Sequence, residues 1–347
     1  MTSYISTQSL TLSLQQSILQ LQSQLASSEN ELTTGNYADP GAALGARTGE
    51  IVSLASQQSL LQTISDTSQA AATRLSTTQN VLSNLQSSAQ SLLNALIQDS
   101  GTNSNASAIQ ASAQSNLKSL ISSLNTTLNG ACIFAGSNTG TPPITDYYAP
   151  GSASKAAVDA AFSGAFGMTQ TSASVSTISE SAMKDFLDNQ FAPLFQDPSW
   201  ATIWSSASAQ TLTSRISPDQ TISTSVTSNS QAFRQLAQAY TMIADLGTQN
   251  LNASAYAAVT SEARNALTSA IANLINMQAG VGLAQADITN ATAQISAQLN
   301  ILSAQAGDLE NINSYEVATR ISNLQTQLET SYALTSRLQR LALVQYL

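Results

Sequence analysis

The chain has 347 residues, 42% of them apolar and only 9% charged, with a net charge of −9. A core of useful size is available and disorder throughout is excluded, while eleven Lys and Arg against twenty Asp and Glu leave no basic patch for nucleic acid or anionic lipid. With no histidine and a single cysteine, Cys132, neither an intramolecular disulfide nor a Cys/His zinc site can be assembled, and the commonest general base is missing.

Ser, Thr, Gln, Asn and Ala stand where an ordinary helical protein carries Lys and Glu. Neutral polar side chains are easier to desolvate than charges. They suit helix faces that later press against neighbouring subunits. A Ser/Thr-rich extracellular protein without an assembly role is the plainer alternative.

In chain order, Met1 to Leu25 has no basic n-region and interleaves Leu and Ile with Gln, Ser and Thr, so it does not read as a Sec signal peptide. No run approaches the apolar length of a membrane span. Leu14, Ile18, Leu21, Leu25 and Leu32 share one helical stripe. Gly35 to Gly41, with Pro40, reads as a break. From Leu44 a second long helix is predicted, with Leu54, Leu61, Ser68, Leu75, Leu82, Ala89 and Leu96 on a seven-residue grid, Leu85 and Leu92 beside it, and a stop near Ser100-Gly101. A third helix spans about 106–128, with Asn129-Gly130 as its stop signal.

The stretch 141–230 differs in composition. It holds every proline but Pro40, both tryptophans and most of the phenylalanines. A short helix is predicted over 181–195. Thr211–Ser217 and Thr221–Ser228 flank Pro218-Asp219-Gln220 as a hairpin. The stretch reads as a small inserted α+β domain. A helix over 231–246 leads back to the bundle. Leu267, Leu274, Val281, Ile288, Ile295, Leu302 and Leu309 then keep a strict heptad, weakened locally at Gly280 and Gly282, with Gly307 a hinge candidate. The phase resets after Asn311–Ser314, and Val317, Ile321, Leu324, Leu328, Leu338 and Leu341 form the last stripe. A helix continuous over 265–347 would be on the order of 120 Å long, which predicts a rod.

Three segments carry a family resemblance. Leu32-Thr33-Thr34-Gly35 followed by Asp39-Pro40-Gly41 resembles the break after the first helix of flagellins and hook-associated proteins. Leu324 to Tyr332, continued through Arg337-Leu338 to Tyr346-Leu347, is similar to the C-terminus of the hook–filament junction branch of that superfamily, hook-associated protein 3. Ile133-Phe134-Ala135-Gly136-Ser137 with Thr141-Pro142-Pro143 resembles a signature of the same branch, although Ala131-Cys132 stand where a larger or aromatic residue is expected.

The resemblance implies a mainly α, elongated coiled-coil bundle in three parts. Residues 1–40 with 311–347 would form inner assembly helices, disordered in the monomer. Residues 41–140 with 231–310 would form a surrounding bundle, and 141–230 would face outward. It implies a non-enzymatic subunit exported unfolded by the flagellar type III apparatus, with an export chaperone, and located outside the cell at the hook–filament junction. Its partners would be copies of itself in a ring or helical lattice, a hook-side junction protein and flagellin. A filament flagellin is the alternative, and a surface adhesin carried by the middle domain a remoter one.

No catalytic residue, metal site or cofactor is expected. The predicted assembly interface is Leu14, Ile18, Leu21, Leu25, Leu32, Leu324, Leu328, Leu338 and Leu341, because nothing else in the chain is left to cover those two stripes. The predicted hinges are Gly35, Pro40, Gly41 and Gly307, and the signature residues Phe134, Gly136, Pro142 and Pro143. Trp200 and Trp204 read as core, Cys132 as a small buried hydrophobe, and Asp185, Asp188 and Glu180 as a solvated face. Arg320, Arg337 and Arg340 either complement a helix dipole or pair with Glu29 and Glu31 of a neighbour.

Overall fold

The computed structural model describes residues 7–99 and 105–344, with side chains described at residue 9 and over 12–99 and 105–337. About three quarters of the chain is helical. It divides into two compact units, Met1–Gln62 with Ser296–Leu347, and Thr63–Ile295.

In the terminal unit, helix α1 (Thr7–Thr34) ends at Gly35. Gly35 takes a left-handed φ of +78° and donates its N–H to Glu31 O at 2.8 Å, the C-terminal cap that a glycine accepts without steric cost. Pro40 and Gly41, expected to belong to the break, instead begin a short helix α2 (Pro40–Leu44). Asp39 caps it by accepting from Ala42 N at 3.0 Å, and proline at a first helical position has no N–H to leave unpaired. After a 3-10 turn at Gly45–Arg47, α3 starts at Thr48 and runs to Gln98. The expected stop at Ser100-Gly101 lies outside the described residues.

Helix α9 (Ser314–Val344) packs against α1. Gln22 Nε2 donates to Tyr332 Oη at 2.8 Å, and Arg320 meets Glu31. Rising numbers on α1 thus face falling numbers on α9, so the two run antiparallel. The two terminal stripes partly cover each other. Val317, Leu324 and Leu328 are buried, and Leu14, Ile18, Leu21 and Leu25 are half-buried.

In the larger unit the heptad grids are seams. Ser68, Leu75, Leu82, Leu85, Ala89, Leu92 and Leu96 of α3 are all buried. So are Leu267, Leu274, Val281, Ile288 and Ile295 of α8 (Ala253–Glu310). A seven-residue period keeps one stripe facing its partner along a long helix. Gln278 Nε2 donates to Gln86 Oε1 at 2.9 Å across α8 and α3. Gly280 and Gly282 lie inside α8 without interrupting it. The helix starts earlier than its heptads because Asn252 Oδ1 caps it, accepting from Ala255 N at 2.9 Å.

Helix α4 (Ala106–Leu124) lies on α7 (Gln231–Asp245), whose last turn is capped by Gln110 and Gln114 donating to Ala244 O. The expected helix stop at Asn129-Gly130 is something else. Helix α4 has already ended at Asn125, and Asn129 (φ +52°) and Gly130 (φ +79°) form the two-residue turn of a small hairpin, β1 (Thr127–Leu128) with β2 (Ala131–Cys132). Asn-Gly in two left-handed conformations matches the twist of paired strands better than it serves a helix end.

The middle stretch contains α5 (Ala153–Phe166) and α6 (Glu180–Phe186). Helix α6 continues as a π-type turn over Leu187–Phe191 and a 3-10 turn over Ala192–Phe195, where Pro193 cannot donate to a regular ladder. The predicted hairpin is β3 (Thr213–Ser217) with β4 (Gln220–Ser223), antiparallel, turning at Pro218-Asp219. Its core is a chain of rings. Phe162, Phe186, Phe191, Phe195, Trp204 and Tyr147 follow one another at centroid spacings of 5.0 to 5.9 Å, and Trp200 stacks on Trp204 at 5.5 Å. All are buried, so both tryptophans are core.

Candidate assembly surfaces

The terminal pair leaves apolar surface uncovered. Leu12, Leu19 and Leu32 of α1 and Tyr332 and Leu334 of α9 are exposed, and Tyr315 is 84% exposed. An open groove runs beside Tyr315, lined by Thr319, Arg320, Asn323, Leu324 and Gln327. Two antiparallel helices can bury only the seam between them, so each keeps a second apolar face. Of the predicted interface, Leu14, Ile18, Leu21, Leu25, Leu324 and Leu328 line the intramolecular seam, while Leu32 is exposed. The side chains of Leu338, Leu341 and Arg340 lie outside the described ones. Leu12 and Leu19 are missing from the sequence-based interface. Their seven-residue spacing beside the main stripe is the signal that marks them.

Arg320 has a partner within its own chain. Its Nη1 pairs with Glu31 Oε2 of the same chain at 3.2 Å, and Glu31 is buried. Of the predicted hinges, Gly35 sits at the break itself, Pro40 and Gly41 open α2, and Gly307 lies within the last turns of α8, four residues before the break at Asn311.

The residues Phe134 to Pro143 form a clamp in the larger unit. Phe134 is fully buried, meets Phe233 edge-on at 5.7 Å, and its carbonyl accepts from Ser228 N at 2.8 Å. Gly136 has φ +62°, and a Cβ there would stand 2.5 Å from Ser208 O and 2.6 Å from Gln210 O. Only glycine permits both that conformation and that approach. The carbonyls of Pro142 and Pro143 accept from Ser206 Oγ and Ser206 N at 2.8 and 2.9 Å. Asn229 holds the far side, accepting from Trp200 Nε1 and Ser205 Oγ and donating to Ala207 O. Cys132 is buried at its edge.

Nearby, Tyr147 Oη donates to Asp245 Oδ2 at 2.5 Å and Lys155 Nζ reaches the same carboxylate at 2.9 Å and Asp159 at 3.1 Å. Burial, then the Asp245 charge, pushes the Tyr147 phenol far above its ordinary value. Burial and the nearby carboxylates push Tyr148 up to about 12. For Lys155 burial acts to lower the pKa, but the bonds to Asp245 and Asp159 outweigh it and the net direction is up. The ammonium therefore stays charged, and the cluster is a structural brace rather than a source of a nucleophilic amine. Glu180 pairs with Lys184 at 2.6 Å and Asp185 accepts from Asn189. Among the described residues no group of three or more acidic or cysteine side chains could hold a metal.

Two family models match. The bacterial flagellin N-terminal helical region covers residues 5–139, and the bacterial flagellin C-terminal helical region covers 265–347. Together they span well over half of the chain. The chain belongs to the flagellin family. It is therefore a structural subunit of the bacterial flagellum, an extracellular assembly, and members of this family self-assemble into flagellar polymers. Both matched regions carry the heptad seams and the helix breaks, while the aromatic core at 147–204 lies outside them.

Among solved structures, a "putative flagellar hook-associated protein" from Vibrio parahaemolyticus shares the fold. The superposition has a TM-score of 0.51 at 13% identity and covers 78% of this chain and 98% of that one. No curated protein matches this flagellin-family chain.

Proposed function

We propose that this flagellin-family subunit is the adaptor joining the flagellar hook to the filament. The observation that carries the reading is the stretch Phe134 to Pro143, which resembles the signature of the hook–filament junction branch. Its residues act together: a buried ring, a glycine pressed against two carbonyls, and two prolyl carbonyls held by Ser206. The fold shared with a protein described as hook-associated supports the same reading.

In this role the subunit packs with copies of itself in a ring or helical lattice, meeting a hook-side junction protein at one end and flagellin at the other. Residues 1–40 and 311–347 are the inner assembly helices, 41–140 with 231–310 the bundle around them, and 141–230 the outward domain. Leu14, Ile18, Leu21, Leu25, Leu32, Leu324, Leu328, Leu338 and Leu341 carry the inner packing, and Gly35, Pro40, Gly41 and Gly307 allow bending between layers. The chain travels unfolded through the type III apparatus, guarded by an export chaperone. Its neutral Ser, Thr, Gln and Asn faces are desolvated at low cost when subunits meet.

A filament flagellin is the second reading, favoured by one observation: both matching models describe flagellin itself. Immunogold labelling of intact flagella with antibody against residues 141–230 separates the two. A single band where hook meets filament is expected. Label along the whole filament would assign the chain to the filament instead.

A further inference from the structure

The middle stretch is fastened to the helices of the larger unit at both ends of α7. Near the N-terminal end, Phe134 packs on Phe233 and its carbonyl accepts from Ser228 N, while Gly136 is pressed against Ser208 and Gln210. At the C-terminal end the linker 246–252, which joins α7 to α8, grips other parts of the stretch. Asp245, the last residue of α7, accepts from Tyr147 and from Lys155 of α5. Gln170 O lies so close to Gly247 that a Cβ there would stand 2.3 Å from it, and Gln170 Nε2 donates to Asp159 of α5 at 2.9 Å. Asn252 Nδ2 donates to the carbonyls of Ser176 and Ile178 at 2.9 and 2.6 Å, while its Oδ1 caps α8. The linker itself is tightly folded. Thr248 is buried and donates its hydroxyl to Ile243 O at 3.1 Å, and Asn250 N donates to Gly247 O at 2.9 Å.

From this attachment we infer that residues 246–252 are a socket for the middle stretch, with Gly247 and Asn252 as its positioning residues, so that Thr63–Ile295 unfolds and moves as one body. A domain held at one end could swivel about it. Here the clamp and the socket stand at opposite ends of α7, whose 15 residues put them about 22 Å apart. Rotation about α7 itself is blocked too, because the socket grips three separate segments, at Tyr147 with Lys155, at Gln170, and at Ser176 with Ile178. An inserted domain on a flexible tether could turn freely in the assembled flagellum. A socketed one keeps a fixed orientation, and force on it passes directly into α8. That holds wherever in the flagellum the subunit stands.

Both tryptophans lie in the middle stretch, so their fluorescence reports its unfolding, while hydrogen exchange at the amides of Leu267 and Leu274 reports the opening of α8. In the full-length protein, native fluorescence and amide protection should be lost over the same range of urea, as coincident probes require of one cooperative unit. Asn252→Asp keeps the cap of α8 but turns an acceptor toward two carbonyls that need a donor. It should lower the fluorescence midpoint and, without urea, speed exchange at Leu267 and Leu274 together by roughly ten- to a hundredfold, the factor for a buried polar group left unpaired. If Asn252→Asp does not fold, Asn252→Ser, which keeps a capping oxygen and only withdraws the amide donor, decides the question with the same readouts. A fluorescence transition in the wild-type protein at lower urea than the loss of α8 protection overturns the inference. So does a variant that moves only one of the two readouts, or neither.

Discussion

The rings of Tyr147 and Trp204 lie nearly flat on each other, centroids 5.4 Å apart and planes 11° from parallel, while the Tyr147 hydroxyl reaches away to Asp245. This one side chain joins the aromatic core of the middle stretch to the C-terminal end of α7. Aromatic packing supplies the area, and the phenol finds the partner that a buried hydroxyl needs. Tyr147→Phe should therefore keep the stack and lose about 1–3 kcal/mol of stability from the bond to a charged acceptor. Asp245→Asn should cost about 1–2 kcal/mol, because Lys155 is a third exposed and its attraction is screened. Urea melts of both single variants and the double would check this, with a coupling clearly below additivity expected.

Alkaline pH should weaken the larger unit. Burial holds the phenols of Tyr147, Tyr148, Tyr240 and Tyr256 above their ordinary value of 10.0, aided at Tyr147 and Tyr256 by Asp245 and Asp99. Below that value the phenols are neutral in both states and the stabilisation is fully present. Above it the unfolded chain releases protons that the folded chain retains, so stability falls as pH rises. Lys155 acts with the same sign. The urea midpoint should drop between neutral pH and roughly pH 11. Phenolate absorbance from these four of the nine tyrosines should appear only with unfolding; their titration in the folded state would refute the assignment.

Gly136→Ala should be markedly more harmful than Gly167→Ala. Both glycines have positive φ, but a Cβ at Gly167 meets nothing within 4 Å, whereas at Gly136 it meets two carbonyl oxygens. The costs should be roughly 2–4 kcal/mol at Gly136 and about 1 kcal/mol at Gly167. Thermal melts giving equal losses would show that the clamp yields easily.

Deleting residues 324–347 should leave Thr63–Ile295 folded, with native tryptophan fluorescence, because the core around Leu75, Leu82, Leu267 and Leu274 lies wholly outside the deletion. Incorporation into flagella should be lost. Flagella that carry the truncated chain at wild-type levels would remove the terminal pair from the assembly interface.

Sequence periodicity alone determined the long seams. Leu54 to Leu96 and Leu267 to Leu309 fall on heptads, and apart from the half-buried Leu302 every position of those grids is buried, because a period near seven forces one stripe inward whatever the partner is. The hairpin around Pro218-Asp219 and the core role of Trp200 and Trp204 were legible for similar local reasons. Tertiary structure decided the rest. Asn129-Gly130 suits a helix end and a hairpin turn equally well, and only the pairing of Thr127 with Cys132 selects the hairpin. Glu31 and Arg320 are 289 residues apart and look alike to any neighbour or to each other; the antiparallel register of α1 and α9 makes them partners within one chain. Gly136 stands in the sequence only as a signature residue, and its steric reason comes from Ser208 and Gln210, which arrive from elsewhere to occupy the space of its missing Cβ. Spacing fixes which face of a helix is apolar, but which surface covers that face depends on segments that meet only after folding.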